Sequence, residues 1–216
     1  MICRELIGNS RPSSMAQLNR YHWLHPAGKK LISSWLDRAW QKRKCRPTNS
    51  FEPFIFTWIS FNGWAACVTE LDRDKDMIDA LKRCKPICDD FERLIADKKS
   101  PVSRYARQFH DSWPIFRAQE IRRLNVSRYD AGDRQEIVEH YLSSGIRSFE
   151  PQCWTRHREE GNPVPLDWPH TLNALYRVRC NLFHGEKSAH SEMDSSIVAS
   201  AFRTLINFLH ESKYIT

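Results

Sequence analysis

An arginine and a histidine lie five positions apart near the C-terminal end of the sequence, and a glycine follows the histidine. They are Arg179 and His184, with Gly185 next. A guanidinium can hold a phosphate through two hydrogen bonds, and an imidazole can take or give a proton near neutral pH. Such a pair can cleave RNA without a metal. A base removes the proton of the ribose 2′-OH, this oxygen attacks the phosphorus, and the cation stabilises the developing charge.

Arg179 stands at a position where the helical pattern requires an apolar side chain. Residues 167–183 carry large side chains at spacings of four, three, four and three, which is one face of an amphipathic helix. This face consists of Trp168, Leu172, Leu175, Arg179 and Leu182. A cation on a buried face costs free energy unless it is paired or used. We interpret Arg179 as a site residue; the alternative is a cation that the helix dipole favours near the C-terminus.

The spacing of the pair limits how the two side chains can meet. Five residues on an ideal helix correspond to a rotation of about 140° and a rise of about 7.5 Å. Arg179 and His184 therefore share a site only under one of two conditions. Either the helix unwinds near Gly185, or two copies of the motif meet across a two-fold dimer and form a composite cleft.

Helical periodicity dominates the rest of the chain, and no segment alternates convincingly like a strand. We predict an all-α fold, a helical bundle with additional short helices. The predicted helices cover residues 28–44, 51–70, 74–83, 87–97, 101–113, 114–124, 133–144, 167–183 and 191–211, and residues 146–165 are predicted to be irregular. Residues 1–19 are predicted to be a flexible leader, and residues 20–216 a single helical domain.

Residues 51–70 are apolar nearly all round and predict a central buried helix. Asn62 falls on the same face as Trp58. A buried amide needs hydrogen-bond partners. Asn62 therefore either orients Arg179, His184 or an RNA base, or bonds to the backbone of a neighbouring helix.

The positive charge is concentrated near the N-terminus. The formal net charge is +7, and residues 1–50 contain ten Lys or Arg against two Asp or Glu. The densest part consists of Lys42, Arg43, Lys44 and Arg46. These residues predict an RNA-binding surface that follows phosphates; the alternative is a solvated helix end, where basic residues are also favoured.

Cysteines and hydropathy indicate the compartment. The seven cysteines are odd in number and scattered, as expected for free thiols in a reducing environment. No apolar run approaches twenty residues, so we predict a cytoplasmic protein with no membrane partner. The pairs Cys84/Cys88 and Cys153/His157 have looser spacing than usual zinc pairs. We expect no metal and no cofactor; a zinc-dependent nucleic-acid binder remains an alternative.

Two segments resemble a known family. The stretch Arg179-Cys-Asn-Leu-Phe-His184-Gly185 resembles the Arg, four to six residues, His motif of HEPN-domain ribonucleases from prokaryotic defence and toxin proteins. Residues 56–62, Phe-Thr-Trp-Ile-Ser-Phe-Asn, are similar to a stretch on an earlier core helix of such proteins. The resemblance covers roughly residues 28–212.

The resemblance implies a HEPN-like helical fold, a homodimer and a metal-independent endoribonuclease with Arg179 and His184 as catalytic residues. It further implies a toxin or antiviral defence effector, with tRNA or phage or host mRNA as candidate substrates and a neutralising antitoxin or regulatory protein as a candidate partner.

Two positions depart from the family pattern. Cys180 stands where active members usually carry a polar residue, so we assign the role of orienting substrate to Asn181, together with Asn62. Glu186 replaces the tyrosine that a partner nucleotidyltransferase modifies in one subgroup, so this regulation is not expected. The alternative function is a catalytically degenerate HEPN-like module that dimerises or binds a nucleotide or a partner protein.

Overall fold

The fold is all-α, as predicted. A computed structural model describes residues 14–126, 133–183 and 192–215, and these contain eleven α-helices, one 3₁₀ turn at Pro47–Asn49 and two very short strands. The helices are α1 (Ser14–Trp23), α2 (Pro26–Gln41), α3 (Phe51–Thr69), α4 (Asp74–Leu81), α5 (Lys85–Ala96), α6 (Pro101–His110), α7 (Ala118–Arg123), α8 (Arg134–Ser143), α9 (Trp154–Glu159), α10 (Trp168–Phe183) and α11 (Glu192–Ser212). The strands are β1 (Ile115–Phe116) and β2 (Phe149–Glu150).

The helix α3 is the centre of the main core, as its apolar sequence predicts. It packs against α1, α2, α4 and α11, and Trp58 and Trp64 are almost fully buried. A Cβ atom at Gly63 would lie 3.0 Å from Cγ1 of Ile32, so the absence of a side chain there lets α2 and α3 pack closely. The Ser60 hydroxyl also donates to the Ile32 carbonyl at 2.8 Å. These contacts fix the helix that carries Trp58 and Asn62.

The helix α10 is held from its N-terminal end by Trp168. The indole is buried and packs against Phe91 of α5 and Phe208 of α11, and its Nε1 donates to the Leu81 carbonyl at 3.2 Å. Leu172, Leu175 and Val178 continue the buried face, as the amphipathic pattern predicts. This anchoring positions the last turns of α10, where Arg179 lies.

A second, smaller hydrophobic core is formed by residues of β1, of β2 and of the segment between them. Its buried members are Phe116, Ile137, Val138, Tyr141, Ile146 and Phe149. The two strands pair antiparallel, with Ile115 opposite Glu150 and Phe116 opposite Phe149. This unit packs on α10 through both strands, so it covers one side of the helix that carries the motif.

Residues 114–124 are not one helix, contrary to the prediction. Residues 115 and 116 form β1, and α7 begins only at Ala118. The backbone N–H of Arg117 donates to the Ser148 carbonyl at 2.8 Å, so pairing with a distant segment replaces the local helical bonds. Likewise, residues 146–165 are not irregular throughout, since they contain β2 and α9.

The predicted boundary between leader and domain at residue 19 falls inside α1. Leu18 and Tyr21 of this helix are buried in the main core, and Arg20 forms an ion pair with Glu70 at 2.9 Å. The apolar side chains at a spacing of three explain why this segment packs on α3. Residues 1–13 of the predicted leader lie outside the described residues.

No helix within the described ranges is both long enough and apolar enough to cross a membrane.

Candidate functional site

Arg179 lies on the last turns of α10 and is paired with a carboxylate. Its Nη2 atom is 2.7 Å from Oδ2 of Asp74, the first residue of α4, and the two side chains are 23% and 24% exposed. A pair at this depth remains in contact with solvent, so it can exchange partners. The sequence pattern predicts that this cation is either paired or used in a site. Its partner is Asp74, which the sequence did not indicate.

Two aromatic rings flank the Arg179 guanidinium. Its central carbon is 4.7 Å from the ring centroid of Phe183 and 5.9 Å from that of Tyr176. The Nε atom is buried and has no hydrogen-bond partner among the described residues. Stacking against rings restricts a guanidinium while leaving its charge available. Arg179 is thus held in place and keeps one donor unused.

The described part of α10 carries Arg179 but not His184. The helix α10 ends at Phe183, and His184 and Gly185 lie outside the described residues. Arg179 lies one helical turn before Phe183, the last residue of α10. Their meeting in one site therefore stays a prediction.

The two segments that resemble the family meet in the fold. The rings of Trp58 on α3 and Tyr176 on α10 stack with centroids 6.0 Å apart and planes 27° apart. Asn62 follows Trp58 by one helical turn and is half-buried, rather than fully buried as its place on the apolar face suggested. Arg179 follows Tyr176 by three residues. Segments more than a hundred positions apart in sequence are therefore in contact beside the candidate site.

Tyr176 is held in its protonated form. Burial raises the pKa of Tyr176 to about 12; the neighbouring Cys180, which hydrogen-bonds to it, and Asp74 act in the same direction, and Arg179 opposes them. A phenol with this pKa does not act as a base near neutral pH. Tyr176 therefore serves as a wall beside Arg179 and as a hydrogen-bond partner for Cys180.

Asn181 is buried and bonded to backbone on the side of α10 that faces the small core. Its Nδ2 donates to the Phe116 carbonyl at 2.8 Å, and its Oδ1 accepts from the Ala118 N–H at 3.2 Å. The amide thereby joins β1 and the start of α7 to α10. The predicted role in orienting substrate would have to be combined with these two bonds, and it stays a prediction.

The basic segment 42–46 lies where α2 meets α11. Lys42 is ion-paired with Glu52, and the guanidinium of Arg43 lies 4.4 Å from the Trp40 ring. Lys44 and Arg46 are exposed. Arg203 of α11 donates to the Cys45 carbonyl at 2.8 Å, which fixes the loop. Half of the predicted RNA-binding set thus already has local contacts, while the other half faces solvent.

A second polar cluster lies on α10 that sequence reasoning missed. It borders a cavity of about 560 Å³. Arg177 lies 3.7 Å from the half-buried Glu150, and the His170 Nδ1 is 2.7 Å from Asp167. Burial raises the pKa of Glu150, and the charges of Arg177 and Lys82 oppose this. The ion pair between Glu150 and Arg177 of α10 depends on strand β2, which no sequence pattern predicted.

The cysteine pairs considered for zinc lie in ordinary packing environments. Cys84 is buried and Cys88 half-buried, and burial raises the pKa of both thiols. Among the residues that the structure describes, no group of three or more His, Cys, Asp or Glu side chains is placed to hold a metal ion.

Comparison with known proteins assigns no family to this chain. No family model, no curated protein and no solved structure matches this chain.

Proposed function

We propose that this protein is a HEPN-like, metal-independent endoribonuclease in which Arg179 and His184 carry the reaction. The observation that carries the proposal is the contact of Trp58 with Tyr176. It brings together the two segments that resemble the family, beside an arginine whose guanidinium is partly exposed and flanked by rings. A toxin or antiviral defence role, and an antitoxin as partner, follow from the resemblance alone.

In the proposed reaction the substrate supplies its own nucleophile. His184 removes the proton of a ribose 2′-OH, and the oxygen attacks the adjacent phosphorus. Arg179 binds the non-bridging oxygens and stabilises the added negative charge. The P–O5′ bond breaks, and the leaving oxygen takes a proton from the imidazolium of the histidine. One product ends in a 2′,3′-cyclic phosphate and the other in a 5′-OH.

Asp74 shapes how Arg179 meets a phosphate. The carboxylate occupies Nη2, and Nε is buried without a partner among the described residues. A phosphate therefore reaches the guanidinium through its Nη atoms, and binding there through two hydrogen bonds requires Asp74 to give way. The pair is partly solvated, so this exchange costs little.

The exposed ring beside the site supports a homodimer. Phe183 is 50% exposed, although it lies directly before the histidine and against Arg179. A second copy of the chain that covers this ring across a two-fold axis would bring two Arg179 side chains and two histidines into one cleft. This removes the geometric difficulty of a pair five residues apart on one helix.

The decisive experiment is an RNA-cleavage assay in EDTA. Wild type should cut total RNA and leave cyclic-phosphate ends, and Arg179→Ala should not. Arg73→Ala is the matched control, because Arg73 is a neighbouring but highly exposed arginine and its loss should leave cleavage intact. Cleavage that requires Mg²⁺, or that survives Arg179→Ala, contradicts the mechanism.

A binding module without catalysis is the second candidate. Asp74 already neutralises Arg179. Cys180, at a position where active members usually carry a polar residue, hydrogen-bonds to Tyr176. Overexpression discriminates between the two functions. Growth arrest that His184→Ala relieves supports the nuclease, whereas equal growth with both versions supports the module.

A further inference from the structure

The guanidinium of Arg179 lies beside two rings of its own helix. Tyr176 precedes Arg179 by three residues and Phe183 follows it by four, and side chains at these spacings are neighbours on a helix. The central carbon of the guanidinium is 5.9 Å from the ring centroid of Tyr176 and 4.7 Å from that of Phe183. Phe183 is 50% exposed, whereas Tyr176 is half-buried. Tyr176 is therefore the ring that the rest of the fold can hold in place.

The ring of Tyr176 is braced from the main core by Trp58. The two rings stack with centroids 6.0 Å apart. Trp58 is almost fully buried, and it packs against Phe54 and Phe61 of the same helix with centroids 6.3 and 5.2 Å apart. Close-packed interior side chains fix the positions of their neighbours. A continuous set of contacts thus leads from the core of α3 to the cation on α10.

The contact between ring and cation can hold Arg179 when its ion pair cannot. Asp74 holds the guanidinium at 2.7 Å, but this carboxylate must give way when a phosphate binds through two hydrogen bonds. A contact between a cation and a ring face uses none of the N–H donors, so it persists while the anions exchange. Alignment matters at this moment, because a misplacement of about 1 Å can lower a rate by a factor of about 10².

We propose that Tyr176 is a positioning residue of the candidate site. Its ring, braced by Trp58, keeps the Arg179 guanidinium aligned while Asp74 is exchanged for the scissile phosphate. The inference rests on the proposed ribonuclease function and adds to it a residue that acts through Arg179. The ring face is the part that matters, and the hydroxyl, which hydrogen-bonds to Cys180, is not required.

Steady-state cleavage in EDTA of an RNA oligonucleotide that the wild type cuts tests the role of the ring. Tyr176→Leu removes the ring and should lower kcat at least tenfold, because Arg179 is no longer aligned. KM should stay within threefold of the wild-type value, because the lost alignment acts on the transition state and not on RNA binding. Tyr176→Phe keeps the ring without the hydroxyl, so its kcat should lie within threefold of that of the wild type.

Two further variants control for packing. Tyr105→Leu is the matched control, because Tyr105 of α6 also has an arginine beside its ring, Arg203 at 5.6 Å, and its loss should leave kcat unchanged. Tyr176→Met repeats the test with a flexible side chain that fills irregular space, which keeps the test valid if Tyr176→Leu does not fold. Urea denaturation gives the folded fraction, and kcat is compared per folded molecule.

The possible failures can be told apart. An unchanged kcat in folded Tyr176→Leu or Tyr176→Met overturns the inference, because the ring would then serve packing alone. A loss in Tyr176→Phe as large as that in Tyr176→Leu also overturns it, because the hydroxyl would then be the required group. A wild type that leaves RNA intact overturns the proposed function itself, whereas the first two results concern the positioning role alone.

Discussion

Two arginines of α10, only two positions apart, have different relations to their acidic partners. Arg179 meets Asp74 at 2.7 Å, and both side chains are nearly a quarter exposed. Arg177 lies 3.7 Å from Glu150, and these side chains are only 19% and 14% exposed. Two residues correspond to a rotation of about 200°, so the two pairs lie on opposite sides of the helix, and the pair with Glu150 is the less exposed one.

The difference separates a cation that can exchange partners from one that holds the fold. A partly solvated pair costs little to open. The less exposed pair of Arg177 and Glu150 is nearer to the buried case, in which removing one member leaves the other uncompensated. Arg179 is therefore suited to bind a phosphate, whereas Arg177 is suited to keep β2 and Glu150 against α10. The predictions below test this separation.

The largest expected effect is on cleavage by Arg179→Ala. Loss of one cationic donor to the developing charge should lower kcat by a factor of about 10² to 10³. The free energy of unfolding should change by less than about 1 kcal/mol, because the pair with Asp74 is partly solvated. Single-turnover kinetics and urea denaturation measure the two quantities. A stability loss large enough to explain the activity loss would remove the distinction between the two arginines.

The next effect is on stability, for Arg177→Ala. Glu150 would lose its nearest cation, and Arg177 its packing in the cavity wall, so unfolding should cost about 1–3 kcal/mol less. Cleavage per folded molecule should be unchanged. Urea denaturation gives the first value, and RNA cleavage well below the transition gives the second. Full stability together with lost cleavage would reverse the roles of Arg177 and Arg179.

These two arginines show which features of the site can be predicted from the sequence and which cannot. The periodicity of residues 168–183 predicts α10 and its buried face correctly, because a long helix is encoded by local spacing. Arg179 also stands out locally, as a cation among apolar positions. Its partner Asp74 cannot be read from the pattern, since the pair depends on how α4 packs on α10. The apolar run of α3 was assigned correctly for the same local reason.

The regions that sequence analysis missed depend on distant contacts. Strand β1 is fixed by Asn181 and by Ser148, neither of which is near it in sequence. The cavity that Arg134 lines, beside the small core, is formed by residues from β1, α7, α8, α10 and α11. In the sequence, Arg134 directly follows Asp133, the N-cap of α8, and resembles any residue of a first helical turn. The burial of its Nε atom without a hydrogen-bond partner among the described residues becomes visible only once the second core has formed around it.

A smaller effect is expected for Asp74→Ala. Removing the carboxylate frees the full charge of Arg179, so RNA should bind a few-fold more tightly at low salt. The slope of log affinity against log salt should steepen by about 0.7, the value for one further phosphate contact on a single strand. Fluorescence anisotropy with catalytically inactive His184→Ala protein measures both. Asp76→Ala is the matched control, because Asp76 pairs with the exposed Arg73. An unchanged slope would mean that Arg179 does not contact phosphate.

The smallest effect concerns the pH dependence of stability through Glu150. Burial raises its pKa above the ordinary value of 4.5, so the folded protein binds this proton more tightly than the unfolded chain does. The stabilisation is complete below pH 4.5 and is lost as pH rises through the folded-state pKa. Glu150→Gln has no proton to release, so its stability should fall less than that of wild type over this interval. Urea denaturation at pH 4.5 and pH 7 measures the difference. If both proteins lose the same stability, the charge of Arg177 cancels the effect of burial on the pKa of Glu150. The two ion pairs would then differ only in how exposed they are.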